Sequence, residues 1–274
     1  MLGCAWDSVE VAVKASLNQY ENSLVDDFIE GYLGALECFP RLHVITGNET
    51  AARALFAGVP NVSVHANRFP PTIHPSGECQ WAKVCGWRRE IAAKQWHVMW
   101  LDNFTKAPHV LYFDIDAIPI LPWRCHHFFD QRNRAYWWSR IWYNQGFSWI
   151  NVTAHVIDHA LANQDSATVL PRALLNMAAE ERQRRSRVWE ELRERDMITL
   201  YPLVIPRTIL PLARKLVTAA YPKATCFDEA WIQSYFPSHG DLLGKAAAVF
   251  MPESVQMISC AHGTLHYLNH DPER

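Results

Sequence analysis

Residues 109 to 118 read His-Val-Leu-Tyr-Phe-Asp-Ile-Asp-Ala-Ile and set two carboxylates, Asp114 and Asp116, one residue apart behind an apolar run. Val110 to Phe113 has the unbroken apolar character of a strand buried on both faces of a parallel sheet. Alternation along a strand puts residues two apart on the same side, so both acids are expected together at the carboxyl edge of the sheet. Open α/β sheets bind ligands at that edge. Two neighbouring hard oxygen ligands suit Mn²⁺ or Mg²⁺, ions that complete their shell with substrate phosphates. The expected chemistry is a metal–diphosphate site, with a solvated acidic turn as the simpler alternative.

The elements that position this pair follow from periodicity. Val9 to Lys14 alternates and reads as a first strand, Asn18 to Asn22 as a polar connection, and Leu24 to Cys38 as a helix. Leu42 to Thr46 and Val62 to His65 read as strands around a short helix, Glu49 to Phe56. This β-α-β-α-β order predicts a parallel, doubly wound sheet. Trp81 to Phe104 is expected as one long helix, with Lys94 and Asp102 towards the cleft, followed by the Asp114 strand. Tyr136 to Val156 reads as strands and loops. Arg172 to Asp196 reads as a charged, solvated helix with i,i+4 pairs such as Glu181 with Arg185. Ile198 to Ile205 and Val255 to Cys260 are expected strands; Pro206 to Ala220, Phe227 to Tyr235 and Leu242 to Phe250 are expected helices.

The 274 residues, 49% hydrophobic and 20% charged, permit one large α/β domain. A formal net charge of −2 lacks the basic stripe of a general nucleic-acid binder, so no nucleic-acid partner is expected. No run approaches the roughly 18 apolar residues of a membrane span. As written the chain reads as soluble, either cytoplasmic or the lumenal catalytic part of a Golgi-type enzyme. Seven Cys without a paired C-x-x-C give no zinc-ribbon signature, and Cys125-His126-His127 lacks a second half at ligand spacing. Sequons begin at Asn48, Asn61, Asn103 and Asn151. The last two fall in segments expected to be buried or in the active site.

A nucleotide-binding half, a long helix and an apolar strand ending in Asp-x-Asp resemble the GT-A class of nucleotide-sugar glycosyltransferases. Residues 94–118, 227–236 and 238–246 also look like segments of GT-A-like proteins of algae, their viruses and bacteria that build surface polysaccharides. Where those proteins read Ser-Glu-aromatic-Asp, this chain has Ser238-His239-Gly240-Asp241. The resemblance implies an α/β, Rossmann-like, mostly parallel central sheet flanked by helices, with residues 1–118 binding the nucleotide sugar and 119–274 forming a mixed acceptor-side half.

The same resemblance implies Mn²⁺ or Mg²⁺ held by Asp114, Asp116 and His262, with His266 as fallback. It implies donor contacts from Lys94, Asp102 and the first-strand loop at Lys14, Ala15 and Ser16. The partners are then a nucleotide-sugar donor, by default a UDP-sugar, and a glycan or glycoprotein acceptor. The retaining pattern His-x-x-Gly-x-x-Lys-Pro-Trp is unmatched around His262, which favours inversion. An inverting enzyme needs a carboxylate base, for which Asp228 and Glu229 are the candidates; a helix cap is the commoner role for an acid there. Trp142, Tyr143 and Trp149 could stack on acceptor sugars or simply pack. Two rivals stand beside this reading. A haloacid-dehalogenase-type phosphatase also carries Asp-x-Asp after an apolar strand. A non-catalytic carbohydrate-binding protein on the same fold would suit the 12 Trp.

Overall fold

A computed structural model describes residues 8–15, 17, 19–35, 40–66, 94–117, 123–141, 148–175, 177–197, 202–234, 238–261 and 264–267. The chain forms two compact units. The first comprises Met1–Pro71, Trp100–Ala135 and Leu200–Arg207; the second comprises Thr72–Met99, Tyr136–Thr199 and Thr208–Arg274. No helix among the described residues is long and apolar enough to cross a membrane.

The first unit is a five-stranded, mostly parallel sheet. Strand β1 (Val9–Ala15) pairs in parallel with β2 (Leu42–Thr46), and β2 with β3 (Val62–Ala66). On its other side β1 pairs in parallel with β4 (His109–Asp114). The edge strand β7 (Leu203–Pro206) joins β4 antiparallel, giving the order β3-β2-β1-β4-β7. Two helices follow their strands: α1 (Gln19–Ala35) and α2 (Glu49–Leu55). The opening β-α-β-α-β pattern is therefore parallel, as periodicity predicts. Helix α1 starts at Gln19, inside the stretch expected to be a polar connection.

The two faces of this sheet differ in chemistry. Val9, Val11, Val13, Leu42, Val44, Leu111 and Phe113 share one face and one apolar core with Val25, Phe28 and Tyr32 of α1 and Ala52 of α2. The Phe28 and Phe113 rings meet edge to face at 5.8 Å. The alternate residues, on the other face, include Glu10 and Lys14, His43, His65, Tyr112 and Asp114.

The second unit carries a four-stranded sheet in the order β6-β5-β8-β9. Its strands are β5 (Ala135–Ile141), β6 (Arg195–Met197), β8 (Val255–Ala261) and β9 (Thr264–Tyr267). Strand β6 pairs antiparallel with β5, and β9 with β8. The helices are α3 (Ser148–Ala162), α4 (Ala179–Leu192), α5 (Ile209–Ala220), α6 (Phe227–Gln233) and α7 (His239–Phe250). Every residue of α7 is buried, which explains its run of Gly and Ala. At Gly244 a Cβ would overlap the indole of Trp137, so the closest approach to α7 requires glycine.

Three expectations need correction. Residues 94–98 are helical, but the helix ends there, and a separate 3₁₀ turn (Leu101–Asn103) leads into β4. Residues 148–162 are helical: their Trp and β-branched residues mimic a strand, yet Val156, Ile157 and Ala160 recur at helical spacing and are buried. The charged segment is a helix only over Ala179–Leu192, and it is not wholly solvated. Arg185, Trp189 and Leu192 are buried. Glu181 binds Arg184 at 2.6 Å more closely than the expected Arg185 at 3.6 Å.

Among the described residues four histidines are held by burial below their ordinary pKa: His43, His65, His109 and, most strongly, His239, pushed down to about 3. A neutral buried His stabilises the fold until the unfolded chain begins to bind the proton that the folded one refuses. Stability should thus be full above pH 6.5 and fall as pH drops below it. For His239 alone the loss between pH 7 and pH 5 is expected to be about 2 kcal/mol. Urea melts of the wild type and His239→Gln across that range should show the variant with the flatter slope; equal slopes would rule this origin out.

Candidate functional site

The carboxyl edge of the first unit's sheet positions the Asp-x-Asp segment. Strand β4 is buried from Val110 to Asp114 and ends at Asp114. The chain then turns, with the Ala117 N–H donating to the Asp114 carbonyl at 2.9 Å. Ile115 is tucked into the apolar core, while Asp116 is exposed on the turn. The two acids therefore sit at a strand end and on the following turn, rather than on one continuous strand. Their separation comes from the turn and not from the pleat.

Lys14 lies in register with Asp114 on the neighbouring parallel strand. Register partners on adjacent strands are about 5 Å apart and point to the same face. Both residues are buried, at 7% and 6% exposure. The position matters because the strand order reverses there: β2 and β3 lie on one side of β1, β4 on the other. A reversal of this kind opens a crevice at the carboxyl ends of the two strands. Thr46 ends β2 at the same edge, where its hydroxyl accepts the Asn48 N–H at 3.1 Å.

The other residues singled out by sequence belong to several elements. Ser16 and His262 lie outside the described residues, as do Trp142 and Tyr143. His266 sits on β9 opposite Ser259. Asp102 is half-buried on the 3₁₀ turn of the first unit. Lys94 begins the helical stretch of the second unit, and its charge helps to depress His239 there. Lys94 and Asp102 thus do not share one helix. Among the described residues no three His, Cys, Asp or Glu side chains converge as a metal cluster.

The two acids at the start of α6 have different environments. The Trp96 indole N–H donates to Asp228 Oδ1 at 2.7 Å. Burial raises the Asp228 carboxyl above its usual range, and the indole bond pulls it partly back. A half-buried carboxylate with raised basicity and a fixed orientation has the properties of a general base. Glu229 instead reaches back to Thr225, accepting from its backbone N–H at 2.6 Å and its hydroxyl at 2.8 Å. These bonds hold the Glu229 carboxyl below its usual range and tie it to the residue that precedes the N-cap Cys226.

Two polar clusters carry no sequence motif. On the sheet of the first unit, His65 Nε2 and His43 Nδ1 are 2.8 Å apart, and His43 Nε2 lies 3.1 Å from Glu10 Oε2. Glu10 also accepts from the Thr105 hydroxyl and, at 3.2 Å, from the Lys106 N–H. Burial pushes the Glu10 carboxyl up, but its hydrogen bonds to Thr105 and His43, the His43 charge and the Lys106 N–H outweigh that and leave it low. The signal for this relay was the single polar phase of alternation through β1, β2 and β3. In the second unit, Asp241 lies 3.1 Å from Lys245, and both are wholly buried. Asp241 accepts the Met197 N–H at 3.1 Å, and Lys245 donates to the Arg193 carbonyl at 3.2 Å. The Lys245 ammonium also stands 5.8 Å above the Trp189 ring. Asp241, the last residue of the departing Ser-His-Gly-Asp segment, is thereby committed to a buried ion pair.

No protein-family model matches the chain, and no curated protein matches its sequence.

The Asp241–Lys245 pair yields a stability prediction. Asp241→Ala should cost about 3–5 kcal/mol because it leaves a buried ammonium without its partner. The double variant Asp241→Leu/Lys245→Met should recover most of that loss in denaturant melts. A double variant as unstable as the single one would show that packing, not the stranded charge, carries the cost.

Proposed function

We propose that the protein is a metal-dependent glycosyltransferase of GT-A type, moving a sugar from a nucleoside-diphosphate donor, by default UDP, to a glycan or glycoprotein acceptor with inversion. One observation carries the reading: Lys14 and Asp114 are paired in register at the carboxyl ends of β1 and β4, where the strand order reverses, with Asp116 exposed on the next turn. A buried acid, an exposed acid and a buried lysine at a sheet crevice suit a divalent cation together with a diphosphate. The donor set supports Mn²⁺ or Mg²⁺, since both acids offer hard oxygens and such ions keep places for phosphate and water.

In this proposal Asp114 and Asp116 hold the cation and Lys14 neutralises diphosphate charge. The ion, when bound, acts as a Lewis acid and template for the departing nucleoside diphosphate. Lys94, Asp102 and Ser16 are proposed donor contacts, with His262, or His266, as a further metal ligand. Asp228 is the proposed base: Oδ1 is held by Trp96, which leaves Oδ2 to take the proton from the acceptor hydroxyl as the glycosidic bond forms. Glu229 is the second candidate, but as a base it would first have to release Thr225.

Thermal melts with a panel of nucleotides and nucleotide sugars, each with and without Mn²⁺, test the reading. A ligand bound only by the native state raises the melting temperature, and the rise is expected for one nucleoside diphosphate only when metal is present. Asp116→Asn should abolish that rise and transfer alike while leaving the fold intact. No shift with any nucleotide would overturn the proposal. In steady-state kinetics, Asp228→Asn should lower kcat about 10²-fold or more with donor affinity nearly unchanged; equal losses in both would assign Asp228 a structural role.

A further inference from the structure

We propose that Asn48, Asn61, Asn103 and Asn151 are acceptors of N-linked glycans and that the chain matures in an oxidising, glycosylating lumen. The number of sequons is the first observation. With 12 Asn, and Ser and Thr together making up 24 of 274 residues, about one N-x-S/T triplet would arise at random. The chain has four, none with proline in the middle.

Their placement is the second. All four asparagines are exposed, including Asn103 and Asn151, which sequence alone placed in buried or active-site segments. Asn48 caps α2 through Oδ1, which accepts the Ala51 N–H at 3.1 Å. Glycan attachment uses the other amide atom, Nδ2, so the cap survives modification. Asn61 occupies the turn before β3, with φ of 59°. Asn103 lies on the 3₁₀ turn before β4. Asn151 lies in the first turn of α3, on the rim of a polar groove lined by His155, Asp158, Glu190 and Arg193. The hydroxyls of Thr105 and Thr153 are buried in the finished fold, which requires transfer to the chain before it folds.

The third observation is independent of the sequons. Cys125 is disulfide-bonded, a state that persists in secretory and extracellular compartments and is rare in a reducing cytosol. In the transfer step the Asn Nδ2 gains the anomeric carbon of an oligosaccharide. The bond from that carbon to a polyprenyl-diphosphate carrier breaks, and the amide proton leaves with the diphosphate.

The test is to produce the full chain in a eukaryotic secretory pathway behind a cleavable signal peptide, and to treat the folded, secreted product with a glycan-releasing amidase. That enzyme leaves Asp wherever a glycan stood, so peptide masses report each site. Occupation of half or more of the four sites is expected, each lost in its own Asn→Gln variant. Alkylation of the folded product should reach Cys125 only after reduction. Occupation of fewer than half, failure to secrete folded protein, or a Cys125 that alkylates without reduction would each overturn the proposal.

Discussion

The parallel ladder between β1 and β4 is the constraint on which the candidate site depends. It aligns Val9 with His109 at one end and Lys14 with Asp114 at the other. About a hundred residues separate the two strands, so closing that contact is costly in chain entropy. What offsets the cost is the burial of Val11, Val13, Leu111 and Phe113 in one apolar core with α1. A slip of one residue would move these side chains to the other face and separate the lysine from the acid. The apolar residues of the ladder, not the polar ones at its end, therefore determine the geometry of the site.

The same sheet divides its chemistry between two faces. One is apolar and covered by α1 and α2; the other holds Glu10, Lys14, His43, His65, Tyr112 and Asp114. Polar groups on a buried face need partners, and the Glu10–His43–His65 relay supplies them along three strands. The relay also draws in Thr105 and the Lys106 N–H, anchoring the segment that leads into β4.

The second unit solves a similar problem around α7. A helix buried on every side cannot tolerate a bare charge, so Asp241 and Lys245 compensate each other across one turn and tie it to Met197 and Arg193. Glycine at 244 lets the Trp137 indole approach the helix backbone. Opposite trends in two neighbouring acids at α6 come from environment alone: burial raises Asp228, and hydrogen bonds from Thr225 lower Glu229.

Sequence by itself determined the α/β class, the parallel β1–β2–β3 opening and the strand that ends in Asp114. Each rests on local periodicity, which records whether a segment is buried on one face or two. It did not determine how far helices run. The stretches 99–104, where the helix stops short, and 148–156, which is helical, were misread because tryptophans and β-branched residues suit a helix and a strand alike, and only tertiary packing chooses between them. Tertiary structure alone decided that Asp116 stands on a turn, that Lys14 lies in register with Asp114, that Trp96 holds Asp228 and that Asp241 is spent on Lys245. These contacts join residues far apart in the chain, or depend on which side of a helix is buried, and no local pattern encodes either.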